Sequence, residues 1–372
     1  MKNISDYLYA KASRNKIPLD GVFELSPVCN FSCKMCYVRK TPEQLRLERK
    51  ELISWEQWLD MAKQCYEAGT LFLLLTGGEP FLYPDFKKLY IHLHKMGFVL
   101  AINTNGTLID EETVEWLKQY APSRINITLY GNSAETYEKI CGNASGYEKA
   151  VKAINMLHAA GIPVVINASM IPENVHDLES IIDFGHEKDL YVRMSTYMFP
   201  PARREHDECD SRFTPEEAAA IYLRKYRKLY DKQEYNKFIH NMLKKGREQM
   251  QTDTWGSNYE YMWCRAGRSS FWISWEGKMT ACGMLDFPLQ TNPFEESFRE
   301  CWLRITEAVR NTEVLHGCRD CEKREFCRPC VAMIYTETGT VDQKAPYLCR
   351  MSQCILEQMS KEEREYIDEE RK

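Results

Sequence analysis

Twelve of the fifteen cysteines in this 372-residue chain fall into two groups, and no other feature limits the fold as strongly. Cys29, Cys33 and Cys36 share one eight-residue stretch, and nine more lie between Cys264 and Cys354. Cys65, Cys141 and Cys209 are scattered between the groups and read as ordinary buried or surface thiols. In a small secreted domain such density would mean disulfides. In a longer chain without a signal sequence it means metal or redox chemistry. The first fifteen residues are polar, and the longest apolar run, 71–75, is far short of the ~18 residues a membrane span needs. A cytoplasmic location with no membrane partner is therefore expected. Net charge is −5, so no basic excess points to nucleic acid. A hydrophobic content of 44% supports a sizeable core divided among two or three domains.

From residue 21 to about 196 the pattern alternates between strand and helix. Short apolar strands are expected at 21–25, 71–76, 98–103, 124–129, 163–168 and 190–195. Helix-period segments fill 55–68, 84–96, 111–120, 146–160 and 175–188. Ser54 and Asp110 are suited to N-cap the helices that follow them. Six such units cannot close an eight-stranded barrel, but they fit a parallel sheet curled into part of one. The chemistry then gathers at the C-terminal ends of the strands. Residues 200–212 read as a polar linker or loop. A charged helical stretch with a Thr214-Pro215-Glu216-Glu217 start covers 214–250, and its Tyr222, Tyr226 and Tyr230 form a packing stripe.

Cys29, Cys33 and Cys36 have CxxxCxxC spacing directly after the first strand. Three thiolates on one loop can hold three irons of a [4Fe–4S] cube and leave the fourth open to a small chelator. Zinc is the competing reading, but structural zinc sites present four ligands, often as two CxxC pairs, and no second pair is near. Thr76-Gly77-Gly78-Glu79-Pro80 follows the second strand. Its glycines permit close backbone approach to a ligand, and its carbonyls and the Glu79 carboxylate are acceptors suited to an ammonium group.

With these motifs at successive strand ends, the chain resembles the radical S-adenosylmethionine (SAM) superfamily over residues 21 to 196. Met35 and Tyr37 flank the last cysteine as in that family's signature. The resemblance implies that Cys29, Cys33 and Cys36 hold a [4Fe–4S] cluster. It also implies that Gly77, Gly78, Glu79 and Pro80 receive the methionine amino group. Asn103, Thr104 and Asn105, then Thr128 and Tyr130, then Asn167, Ser169, Arg193 and Ser195 would line the SAM pocket from the later strands. Many relatives carry Asp where Tyr130 stands, so a carboxylate role is absent there. The implied chemistry is reductive cleavage of SAM to a 5′-deoxyadenosyl radical that removes a hydrogen atom from the substrate.

Farther along, Cys318, Cys321, Cys327 and Cys330 lie within thirteen residues, a density that also fits a zinc module. Cys264 and Cys282 precede them and Cys349 follows. This set resembles the SPASM extension, which binds two auxiliary [4Fe–4S] clusters. Carried over, Cys318, Cys321, Cys327 and Cys349 hold the outer cluster, and Cys264, Cys282 and Cys330 the inner one. The last spacing is two residues where three is common, and Ser270 stands where some members have a fourth inner ligand. That leaves an open iron, water, a non-cysteine ligand or Cys354 to complete the inner cluster. Trp255, Trp263, Trp272 and Trp275 are expected to shield this region. His92 and His94 lie at i, i+2 and do not pair as metal ligands. Arg203, Arg204 and His206 read as a solvated loop.

The expected fold class is α/β, a partial (β/α)6 TIM-like barrel with an irregular C-terminal iron–sulfur domain. Its divisions are an extension (1–20), the barrel (21–199), a helical linker (200–255), the SPASM domain (256–354) and a charged helix (355–372). The implied activity is oxidative modification of a ribosomally made peptide, such as a thioether or another crosslink, with flavodoxin or ferredoxin as reductant. The alternatives are dehydrogenation of a small molecule or of a protein Ser or Cys side chain, as in sulfatase maturation, and a non-catalytic iron–sulfur or zinc protein. No separate peptide-recognition domain is evident before Gly21.

Overall fold

The computed structural model describes residues 4–200, 211–251, 264–314, 318, 321–327 and 330–370. Six strands run parallel in chain order: β1 (Asp20–Glu24), β2 (Phe72–Thr76), β3 (Val99–Thr104), β4 (Arg124–Thr128), β5 (Val164–Ser169) and β6 (Tyr191–Ser195). Their central residues are apolar, and Phe23, Leu75, Ile102, Ile125 and Ile166 are wholly buried, as parallel strands with both faces covered must be. The helices between them start where their caps dictate. Ser54 and Gln57 form a capping box for Trp55–Glu67, and Asp110 accepts from Thr113 N–H at the head of Glu111–Gln119.

Two further strands, β7 (Ser270–Ile273) and β8 (Met279–Thr280), join the same sheet beyond β1, which makes eight strands in the order β6-β5-β4-β3-β2-β1-β7-β8. The C-terminal region is therefore not wholly irregular, since it extends the barrel's own sheet. Gly21 makes this possible. A Cβ there would lie 2.3 Å from the Phe271 ring, which is opposite it in the register. Gly277, at φ +81°, turns the chain between β7 and β8.

The helices Pro215–Leu229, Lys232–Gln251, Arg324–Cys327 and Pro346–Glu370 pack around Leu223, Ile239, Leu243, Ile355 and Met359. Tyr222 and Tyr226 pack against this cluster, and Tyr226 stacks on Phe238 at 4.4 Å, so the tyrosine stripe is packing. The expected boundary between 354 and 355 does not exist as a break, because one helix, Pro346–Glu370, carries both Cys349 and the charged tail. The helix Ile4–Arg14 is tied to the body by Tyr9, whose hydroxyl donates to Asp20 at 2.9 Å. Among the described residues no helix is long and apolar enough to cross a membrane. Cys209, Arg203, Arg204, His206, Trp255 and Trp263 lie outside the described residues.

Candidate active site

The cysteine loop is held by backbone bonds to a helix that sequence periodicity missed, Ala134–Cys141, which follows β4. Ser32 N–H donates to Cys141 O at 2.7 Å, and Lys34 N–H to Ile140 O at 3.1 Å. Buried Phe31 locks the loop from beneath, its ring edge-on to Tyr137 at 6.0 Å. Cys29, Cys33 and Cys36 then face one cavity of about 400 Å³, within the size range of small-molecule sites.

Gly77 and Gly78 line the same cavity. Gly78 N–H donates to Ser26 O at 2.7 Å, and Glu79 N–H to Val28 O at 2.9 Å, which joins this turn to the start of the cysteine loop. Glu79 and Pro80 do not line the cavity. Glu79 is wholly buried behind it. Its Oε1 accepts from Thr104 Oγ1 at 2.7 Å and from Phe81 N–H, and its Oε2 accepts from Asn105 N–H at 2.8 Å. The carboxylate thus orients Asn105, whose Nδ2 donates to Asn30 Oδ1 at 2.8 Å and lies 3.8 Å from Cys29 Sγ. The sequence expected this carboxylate at the ligand, whereas the structure turns it inward to Thr104 and Asn105.

Burial raises the Glu79 pKa from 4.5 to about 7, against the lowering effect of its three donors. The folded state therefore holds a proton, between pH 4.5 and about 7, that the unfolded chain has released. Stability should fall as pH rises through that window, by roughly 3 kcal/mol, and Glu79→Gln should flatten the slope. Urea unfolding of both proteins across the window tests this, and parallel profiles would refute it.

Asn103, Thr104, Asn105, Thr128, Tyr130, Asn167, Ser169 and Ser195 all line the cavity from the strand ends. Arg193 does not, and is exposed on edge strand β6. The far wall comes from residues the sequence did not flag: Tyr197, Met198, Phe199, Ser211, Arg212 and Met284. Arg212 pairs with Glu337, which also accepts from the Tyr197 hydroxyl at 2.7 Å, and the guanidinium lies over the Tyr347 ring at 4.4 Å.

Tyr130 Oη lies 3.2 Å from Cys33 Sγ, and Cys141 shares a further hydrogen bond with Cys33. That bond is the main reason the Cys33 thiol sits below its ordinary value, whereas burial pushes Cys29 up to about 12. Cys141 is therefore not the ordinary thiol its isolation in sequence suggested. Trp275 is also placed differently from expectation. It packs with Val38 and Leu45 beside Cys36 and Tyr37, against the first cysteine loop. Trp272 does cover the C-terminal segment, where its ring lies 2.6 Å from a Cβ built on Gly283.

Burial raises the Cys318, Cys327 and Cys264 thiols, with Cys349 and Cys321 adding to the first two and Cys330 to the third. Cys282 is two residues from Met284, on the wall of the cavity. Among the described residues, no three His, Cys, Asp or Glu side chains stand close enough to hold a single ion. Tetrahedral zinc, at about 2.3 Å from each sulfur, would draw its ligands to within about 4 Å of one another. In the cavity itself, Asn167 Oδ1 is a buried acceptor with no protein partner, which fits a ligand that brings donors, as the ribose and adenine of SAM do.

Residues 23–185 match the model of the radical SAM superfamily. Those residues form a radical SAM domain. Radical SAM proteins use a [4Fe–4S] cluster and SAM, and this chain is similar to SPASM-type maturases, whose members carry auxiliary clusters. One relative is the AdoMet-dependent heme synthase of Methanosarcina barkeri, 26% identical over 345 residues, covering 87% of this chain and 94% of that protein. Another is the antilisterial bacteriocin subtilosin biosynthesis protein AlbA of Bacillus subtilis, 31% identical over 180 residues, covering 47% of this chain and 39% of AlbA. Among solved structures, Streptococcus suis SuiB superposes with a TM-score of 0.65 at 17% identity, covering 92% of this chain and 82% of SuiB. Native anSMEcpe with bound AdoMet superposes with a TM-score of 0.68 at 15% identity, covering 91% of this chain and 96% of that one. At such identities the structural likeness concerns the fold.

Proposed function

We propose that this radical SAM enzyme oxidatively modifies a ribosomally made peptide, forming a thioether or another crosslink. The observation that carries the reading is the place of the second cysteine region. Cys282, from the proposed inner set, adjoins the cavity wall that Met284 shares with the cysteine loop. An electron acceptor there stands beside the substrate, as an oxidation requires. In this reading Cys29, Cys33 and Cys36 hold the SAM cluster. Cys318, Cys321, Cys327 and Cys349 hold the outer auxiliary cluster, and Cys264, Cys282 and Cys330 the inner one.

When bound, the reduced cluster and SAM supply the hydrogen-abstracting radical. The chain's own residues position the reactants. Gly77 and Gly78 let backbone approach the amino acid end of SAM, and Glu79 fixes Asn105 at the loop. Asn167 offers an unpaired acceptor on the wall, and Tyr197, Met198 and Phe199 close the far side against water. The names of several relatives, the sporulation killing factor maturation protein SkfB and the PqqA peptide cyclase among them, favour a peptide substrate. A cytoplasmic setting with flavodoxin or ferredoxin as reductant belongs to the same proposal.

A second reading has its own support. The heme synthase match runs nearly the full length of both chains, which favours a tetrapyrrole substrate. One experiment separates the two. The anaerobically reconstituted enzyme is incubated with SAM, reductant and either a candidate precursor peptide or an iron–coproporphyrin, and the products are weighed. A two-hydrogen mass loss from the peptide supports the first reading. An unchanged peptide beside a porphyrin of altered mass would replace it with the second.

A further inference from the structure

We propose that Tyr130 and Cys141 set the reduction potential of the cluster held by Cys29, Cys33 and Cys36, by donating hydrogen bonds to the Cys33 sulfur. The inference rests on the reading that these three thiolates hold that cluster. Tyr130 Oη lies 3.2 Å from Cys33 Sγ, and Cys141, whose carbonyl accepts from Ser32 N–H at 2.7 Å, sits beside the same stretch of the loop. A ligated thiolate has no proton of its own, so both neighbours must act as donors toward it. Cys29 is served differently, by the Phe31 N–H at 3.4 Å and by Asn105. At Cys33 the neighbouring side chains, Tyr130 and Cys141, can be changed without breaking the loop's backbone bonds.

Both donors come from one local unit. Tyr130 follows β4, and Cys141 ends the helix Ala134–Cys141 whose last carbonyls also receive Ser32 N–H and Lys34 N–H. The segment that fixes the loop therefore also fixes the donors against Cys33. Tyr137 packs edge-on to Tyr130 at 5.9 Å and keeps its ring in place. Reduction adds negative charge that spreads onto the cluster sulfurs. Donors aimed at a sulfur stabilise the reduced form more than the oxidised form and raise the potential. A SAM-cleaving cluster works at low potential, and two such donors would bring it within reach of a biological reductant.

The test is a redox titration followed by electron paramagnetic resonance, reading the cluster signal that responds to SAM. Wild type, Tyr130→Phe, Cys141→Ala, Cys141→Ser and Tyr137→Phe are compared at measured iron content. Tyr130→Phe and Cys141→Ala should each lower the midpoint. Cys141→Ser restores a stronger donor and should lie above Cys141→Ala. The Tyr137 hydroxyl faces the Tyr130 backbone rather than a cysteine, so Tyr137→Phe should leave the midpoint unchanged. An unmoved midpoint in Tyr130→Phe with full iron overturns the proposal, as does an equal shift in Tyr137→Phe, which would assign the effect to packing. Where Tyr130→Phe fails to assemble the cluster, the two Cys141 variants decide, and identical midpoints overturn the proposal. A wild type with no SAM-responsive signal would instead refute the cluster reading itself.

Discussion

Replacing Cys29, Cys33 and Cys36 together by Ala should lower the iron content after anaerobic reconstitution from about twelve to about eight per chain, and should abolish formation of 5′-deoxyadenosine. The three thiols face the cavity, and the loop that carries them does not depend on them for its shape. It is fixed by Ser32 and Lys34 N–H groups on the end of Ala134–Cys141 and by buried Phe31. The variant should therefore keep its secondary structure by circular dichroism while losing one four-iron complement. The iron that remains bears on the C-terminal cysteines. About eight irons assigns them two four-iron clusters. About four irons in the wild type, with zinc bound, would make them structural and remove the electron acceptors the peptide reading needs. Continued 5′-deoxyadenosine formation by the variant would sink the assignment of the SAM cluster to this loop.

The barrel was legible in the sequence because its strands are short apolar runs punctuated by capped helices. Each of the six lies within a residue or so of its expected span, β1 at Asp20–Glu24 for 21–25 and β5 at Val164–Ser169 for 163–168. What escaped had a physical reason in each case. The helix Ala134–Cys141 has eight residues and directly follows a motif, Tyr130-Gly131, that read as a pocket loop. Missing the helix meant missing Cys141, because only the helix end brings that thiol to Cys33. The pairing of β7 with β1 joins residues far apart in the chain through a four-residue strand, and no local period reports such a partner. Gly21 was the available signal, a strand glycine with no turn to make. The motif at Gly77–Pro80 could not show that Glu79 turns inward to Thr104 and Asn105. The far wall, Tyr197 to Phe199 with Arg212 and Met284, comes from irregular segments whose composition carries no motif.

Gly78→Ala should disable the site as thoroughly as loss of the cysteines, by a different route. A Cβ at this position would lie 2.4 Å from Val28 O and 2.6 Å from Pro27 O. Both are backbone atoms, so no rotamer change relieves the contact, and one segment must move away from the other. The bonds from Gly78 N–H to Ser26 O and from Glu79 N–H to Val28 O would then open. The displacement passes to Cys29, one residue beyond Val28, and through Glu79 to Asn105, which bonds Asn30 at the base of the cysteine loop. Iron should fall by about four per chain, and SAM cleavage should be lost, although every cluster cysteine remains. Gly97→Ala is the control. Gly97 sits at φ +92° with nothing within 4 Å of a built Cβ, so that change costs only the backbone strain, about 1–2 kcal/mol, and should leave iron and cleavage at wild-type levels. Equal iron loss in both variants would mean the cluster reports general stability. Full iron and normal cleavage in Gly78→Ala would mean the close approach of these two segments is not what holds the site in shape.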